Sequence, residues 1–131
     1  MATIQKFEDL ICWQESRVLA NLIFDVTDRI IFRDYDLKRQ IRRAAISPIS
    51  NIAEGFNRGT RNELIDAFFI AKGEIGEVRS QAYIAYDRKY INQTDLENIL
   101  KQTDVCARLV QSFVSKVRMK SHKGLQFKTT A

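Results

Sequence analysis

Arg39, Arg42 and Arg43, with Lys38 beside them and Arg29 and Arg33 just upstream, form a dense basic stretch that only Asp34 and Asp36 interrupt. Guanidinium forks match phosphate oxygens in pairs, and each phosphate neutralised adds salt-dependent affinity for nucleic acid. On a helix Arg39, Arg42 and Arg43 share about a third of the circumference. Arg58 and Arg61 extend this basic surface at the next turn if an oligomer brings them together. The alternative for the same residues is that Lys38 and Arg42 are simply solvated, while Arg43 pairs with an acid across an interface.

A second pattern runs along the same segment. At 100° per residue, Leu37, Ile41, Ala45, Pro48, Ile52 and Phe56 fall on one face, and Gln40, Arg43, Ser47, Ser50, Asn51 and Glu54 fall roughly opposite. Solvated faces usually mix Lys and Glu, whereas this one is mostly small, uncharged hydrogen-bonding groups. Arg43 and Glu54 lie about 16 Å apart along a helix, so each must look outward for a partner. Gln40, Ser47, Asn51 and Glu54 therefore read as a subunit interface, or as the lining of a ring's central opening that touches a ligand. Trp13, near a helix start, is expected to pack against a neighbouring chain. Phe24, Phe68, Phe69, Tyr83 and Tyr86 fall at core spacing.

Catalytic chemistry finds little support. Carboxylate-bridged metal sites in helical bundles need inward Glu-x-x-His pairs, and the sole histidine, His122, lies in the C-terminal extension. The same lack removes Ser/His/Asp chemistry. Gly55-Phe-Asn-Arg-Gly59 lacks both the Lys-Ser/Thr end and the preceding strand of a phosphate loop. Cys12 and Cys106 sit on apolar-periodic segments and read as two buried thiols. No enzyme activity, cofactor or metal is expected.

The elements that position these residues follow from periodicity. The 131 residues include one Pro and five Gly, which leaves little room for loop. Leu10, Ile11, Val18, Leu22, Val26 and Ile30 predict a first helix over 8–31. Asp34 or Asp36 caps a second helix that closes at 55–59 and is expected to kink near 44–48 because of Pro48. Thr60-Arg-Asn-Glu63 is a capping box that opens a third helix reaching about residue 89. Gly73 and Gly76 inside it cost about 1 kcal/mol each against Ala, for which close approach of a neighbouring backbone is the expected compensation. Thr94-Asp-Leu-Glu97 reads as a second box, followed by Leu96, Ile99, Thr103, Cys106, Val110, Phe113 and Val117 at alternating four- and three-residue steps. No segment alternates with period two. The expected fold is all-α, an antiparallel up-down four-helix bundle over residues 1–118.

Charge divides the chain in the same way. All 16 acidic residues lie before residue 116, while five of the 21 basic ones, Lys116, Arg118, Lys120, Lys123 and Lys128, lie at or beyond it. The net charge of +5 therefore belongs to a basic C-terminal extension; residues 119–131 are expected to be a disordered tail that attracts polyanions without specificity. No apolar run approaches the ~18 residues that span a bilayer, and the first ten residues lack a signal-peptide core. A cytoplasmic location is the expectation.

Phe7-Glu-Asp-Leu10 with Trp13-Gln14, then Leu37, Gln40, Arg42-Arg43-Ala44-Ala45, Ser47, Asn51-Ile-Ala-Glu-Gly55, Arg58, Glu63, Ala71, Gly73 and Glu77 resemble a bacterial four-helix-bundle family encoded in intervening sequences of 23S ribosomal RNA genes. The resemblance spans residues 7–115. Two positions depart from it: members typically read Ser-Ile-Pro where this chain has Ser47-Pro48-Ile49, and Gly-Ser where it has Gly73-Glu74. The resemblance implies a small homo-oligomer, with a ring-shaped pentamer the best-known arrangement, and no enzymatic activity. It also implies similarity in fold to the accessory protein of diversity-generating retroelements, which works beside a reverse transcriptase and binds nucleic acid.

Together these readings predict a non-enzymatic oligomer that binds structured RNA through Lys38, Arg39, Arg42, Arg43, Arg58 and Arg61. The alternative is a scaffold or accessory subunit whose partner is another polypeptide, such as a nucleic-acid enzyme. A purely structural oligomer is the third reading.

Overall fold

A computed structural model describes residues 4–119. After a 3-10 turn at Phe7–Asp9, four helices follow: α1 (Ile11–Thr27), α2 (Tyr35–Arg58), α3 (Arg61–Asp87) and α4 (Gln93–Met119). Each packs on two neighbours in the cyclic order α1, α2, α3, α4. With connections this short, that order is an antiparallel up-down four-helix bundle, and no strand occurs among the described residues. Residues 120–131, most of the basic extension, lie outside the described part.

The core is the set of faces that periodicity picks out. Leu19, Ile23 and Val26 of α1, Ile41, Ala45 and Ile52 of α2, Leu64, Phe68, Ile75 and Val78 of α3, and Ile99, Cys106, Val110 and Val117 of α4 are almost wholly buried. Burial of such a side chain contributes about 1.5–3 kcal/mol, so these faces hold the bundle together. Cys12 is buried as well, and neither thiol forms a disulfide.

Helix α1 is shorter than its apolar repeat at both ends. At the start, residues 7–9 wind as a 3-10 turn, and Phe7 packs edge-on against Trp13 with ring centroids 5.2 Å apart. At the end, the Thr27 hydroxyl donates to the Ile23 carbonyl at 2.7 Å. The chain then leaves the helix, exposing Ile30 to 97% and burying Phe32 against Tyr90. Phe32 thus fills the core position that the repeat assigns to Ile30. Val18, Tyr83 and Tyr86, also expected inside, are exposed.

Helix α2 begins where the Asp34 carboxylate accepts the Leu37 N–H at 2.9 Å. It runs on through a buried Pro48 and ends at Gly59, whose φ of 96° is a conformation open to glycine at little cost. In the Thr60–Glu63 box, the Thr60 hydroxyl accepts the Glu63 N–H at 3.2 Å and donates to Glu63 Oε1 at 2.7 Å. The second box lies two residues earlier than expected. Asn92 Oδ1 accepts the Asp95 N–H at 2.8 Å, and Asp95 Oδ2 accepts the Asn92 N–H at 3.0 Å, so Asn92 rather than Thr94 caps α4. Asn is as good a cap as Thr, and Asp95 reciprocates because it also anchors an arginine.

The expected crowding at Gly73 and Gly76 is absent: a Cβ at either would meet nothing within 4 Å among the described residues. The crowded glycine is Gly55, where α3 residues Leu64 and Ala67 stand close against α2. Packing inside one chain therefore explains one helical glycine and leaves two on an open face of α3.

Candidate functional site

The basic cluster divides by what each arginine already holds. Arg42 is committed to its own fold: its Nε donates to Thr27 Oγ1 at 2.8 Å, an Nη pairs with Asp28 at 2.7 Å, and its guanidinium lies 4.6 Å from the Phe24 ring centre. It fastens α2 to the end of α1, with two of its five N–H groups engaged there. Arg33, Lys38, Arg39 and Arg43 make no ion pair among the described residues. Arg39 and Arg43 are exposed and Lys38 is half-buried.

Arg39, Gln40, Arg43 and Ser47 form one wall of a groove between α2 and α3. Ala44 lies at its floor, and Glu74, Glu77, Ser80 and Gln81 of α3 form the facing wall, enclosing about 680 Å³. Asn51 Nδ2 donates to Glu74 Oε1 at 2.8 Å, tying the two helices where the groove ends. The walls therefore carry opposite charge, and Gln81 Oε1 is buried with no hydrogen-bond partner among the described residues. Buried acceptors of this kind are rare in finished structures. Glu74, which replaces the small residue of the resemblance, is the partner that holds Asn51. The α3 wall was absent from the sequence-based site, although its signal was there: Glu74, Glu77 and Gln81 recur at three- and four-residue steps.

The other candidates lie elsewhere. Arg58 pairs with Glu54 at 3.2 Å and with Glu63 at 3.3 Å, so Glu54 finds its partner within the chain. The hydrogen bond to Glu54 raises the Arg58 pKa above its ordinary value, with Glu63 adding to the effect. Arg61 donates to the Arg118 carbonyl at 2.8 Å, and Arg118 lies over Phe69. Arg58 is about 22 Å along α2 from Arg43, too far for one phosphate to bridge both. Trp13, with Arg17 stacked 5.8 Å from its ring, opens onto a separate cleft of about 490 Å³ that Val18, Asn21 and Leu22 also line. Within one chain the six basic candidates are thus two groups, and Trp13 does not join the polar stripe.

No set of three or more His, Cys, Asp or Glu side chains is gathered to hold a metal among the described residues. No helix among them is long and apolar enough to cross a membrane.

Residues 8–112 match the model of the family described as 23S rRNA-intervening sequence protein. The chain belongs to that family. It is also similar to a solved structure from Bacteroides thetaiotaomicron VPI-5482, described as a protein with unknown function from the S23 ribosomal protein family. The two share 21% sequence identity with a TM-score of 0.74 over 79% of this chain and 98% of that one. At that identity the likeness concerns the fold. No curated protein matches the chain.

Proposed function

We propose that this 23S rRNA-intervening sequence protein is a non-enzymatic, self-assembling bundle that binds structured RNA through the first half of α2. One observation carries the reading: Arg33, Lys38, Arg39 and Arg43 project from the α1–α2 loop and α2 without an acidic partner among the described residues. Arginines without an ion pair among the described residues suit polyanions that supply several phosphates at once, approached from the solvent side of α2 and away from Glu74 and Glu77. Self-assembly would repeat the patch and raise avidity without new contacts. The resemblance favours a pentamer.

The test is RNA binding as a function of salt. Affinity should fall steeply with ionic strength, and Lys38→Gln, Arg39→Gln and Arg43→Gln together should flatten that slope. Arg42 stays in place because it is structural. Binding by the triple variant equal to that of the original protein would remove the assignment. Sedimentation velocity should show a species larger than one chain; a strict monomer would remove the assembly half.

A second reading, a scaffold for another polypeptide, is favoured by the Trp13 cleft, where Val18 and the neighbouring Ile11 are exposed on α1. It predicts that a cognate polypeptide, and not RNA, shifts Trp13 fluorescence.

A further inference from the structure

A different cleft, about 570 Å³, opens at the end of the bundle where the α1–α2 loop meets the α3–α4 turn. Its volume falls in the ~300–1,000 Å³ range of small-molecule sites. Tyr90 and Ile91 are buried at its base, Ile31 and Tyr86 stand half-exposed in its walls, and Arg29, Lys89, Asp87 and Asn92 edge it.

Arg29 is held in place by its side chain, and Lys89 by its backbone. Arg29 Nη1 donates to Asp95 Oδ2 at 2.6 Å, and Asp95 is itself fixed by the reciprocal cap with Asn92. The remaining N–H groups of Arg29 make no other bond among the described residues, and its side chain is 46% exposed. Lys89 sits at φ 66°, the left-handed position that closes α3: its N–H donates to the Tyr86 carbonyl, and the Tyr90 N–H donates to the Ala85 carbonyl. Glycine is the usual residue there. A lysine instead accepts backbone strain and sets an ammonium group at the cleft, a departure of the kind that gathers at functional positions.

An aromatic and aliphatic cleft edged by Arg29 and Lys89 fits a planar ring with a single adjacent anion, since Asp95 already takes up part of the Arg29 charge. Asp87 on the same rim disfavours a continuous double-stranded phosphate backbone. We propose that this cleft receives one unpaired nucleobase of an RNA, stacked on Tyr86 and Ile31, with the flanking phosphate on Arg29 and Lys89. The inference rests on the RNA-binding reading and adds what it lacks, a site for a base outside the α2 surface. Stacking on exposed aromatic side chains is how proteins hold unpaired bases.

The test compares an RNA hairpin carrying an unpaired loop with the same stem closed as a blunt duplex, using the full-length protein. The hairpin should bind more tightly. Tyr86→Ala should weaken hairpin binding about tenfold or more while leaving both duplex affinity and the salt slope unchanged, and Tyr86→Phe should restore it. Lys89→Gln should lower the hairpin's salt slope by about one contact, roughly 0.7 for single strands. Equal binding of hairpin and duplex, with Tyr86→Ala indistinguishable from the original, would overturn the base site and leave the α2 reading standing. Failure of the original protein to bind either RNA would overturn both.

Discussion

A Cβ on Gly55 would lie 2.5 Å from the Cβ of Ala67 and 3.6 Å from the Leu64 Cα, so α2 and α3 meet there at a separation that only glycine permits. Gly55→Ala should lower stability by about 1–3 kcal/mol through overpacking, because a methyl opposed by a methyl has no flexible end to yield. Gly73→Ala and Gly76→Ala should each raise the stability of the isolated chain by about 0.5–1 kcal/mol, since both stand in open space within a helix. Urea melts of the three variants decide this, and equal effects would contradict the asymmetry.

Arg42 should separate from its neighbours in the same melts. Arg42→Gln loses the bond to Thr27, the Asp28 pair and the stack on Phe24, for an expected cost of about 1–2 kcal/mol. Arg39→Gln and Arg43→Gln touch no described partner and should stay within about 0.5 kcal/mol of the original. An Arg39 variant as unstable as the Arg42 one would show an unrecognised structural role.

Acid should find Asp95. Burial pushes its carboxyl up, but the Arg29 hydrogen bond, the Asn92 N–H and the Arg29 charge outweigh it, leaving the pKa below the ordinary carboxylate value. A carboxyl whose folded pKa is depressed contributes stability above its unfolded value, ~3.9, and loses it as pH falls through the folded one. Stability should therefore decline on this account below about pH 4, and Asp95→Asn should flatten that decline while lowering stability at neutral pH by about 1–3 kcal/mol. Coincident pH–stability curves for the two proteins between about pH 3 and 7 would refute the coupling.

The two thiols should be silent. Burial pushes Cys12 up to about 12 and Cys106 up to about 11, and the thiolate is the reactive form. A disulfide-exchange reagent at mildly alkaline pH should label neither in the folded protein and both in urea. Prompt labelling of one thiol in the native state would contradict their burial.

The bundle was legible because three-and-four spacing marks each inward face, as Ile41, Ala45 and Ile52 or Ile99, Cys106 and Val110 show. The periodic signal misled where tertiary contacts override it. Ile30 continues the α1 repeat, yet Phe32 takes its place because it can reach Tyr90 across the end of the bundle. Thr94 satisfied a capping pattern as well as Asn92 does, and the choice between them is made by Arg29, far away in sequence. The arginine cluster was visible, but its division was not: Arg42 belongs to the fold because Thr27 and Phe24 lie beneath it, a fact of packing rather than spacing. The groove's second wall required knowing which face of α3 meets α2.

Gly59 and Thr60 alone join α2 to α3, and these two helices share the most extensive packing in the bundle. So short a closure costs the unfolded chain little entropy, and local contacts form fastest. This hairpin therefore needs the least chain closure of any adjacent pair in the bundle. The link from Arg29 to Asp95 spans 66 positions and must wait for α1 and α4 to arrive. The cleft beside it is thus completed only when the last helix docks, so a nascent or truncated chain could present α2 long before it could hold a base.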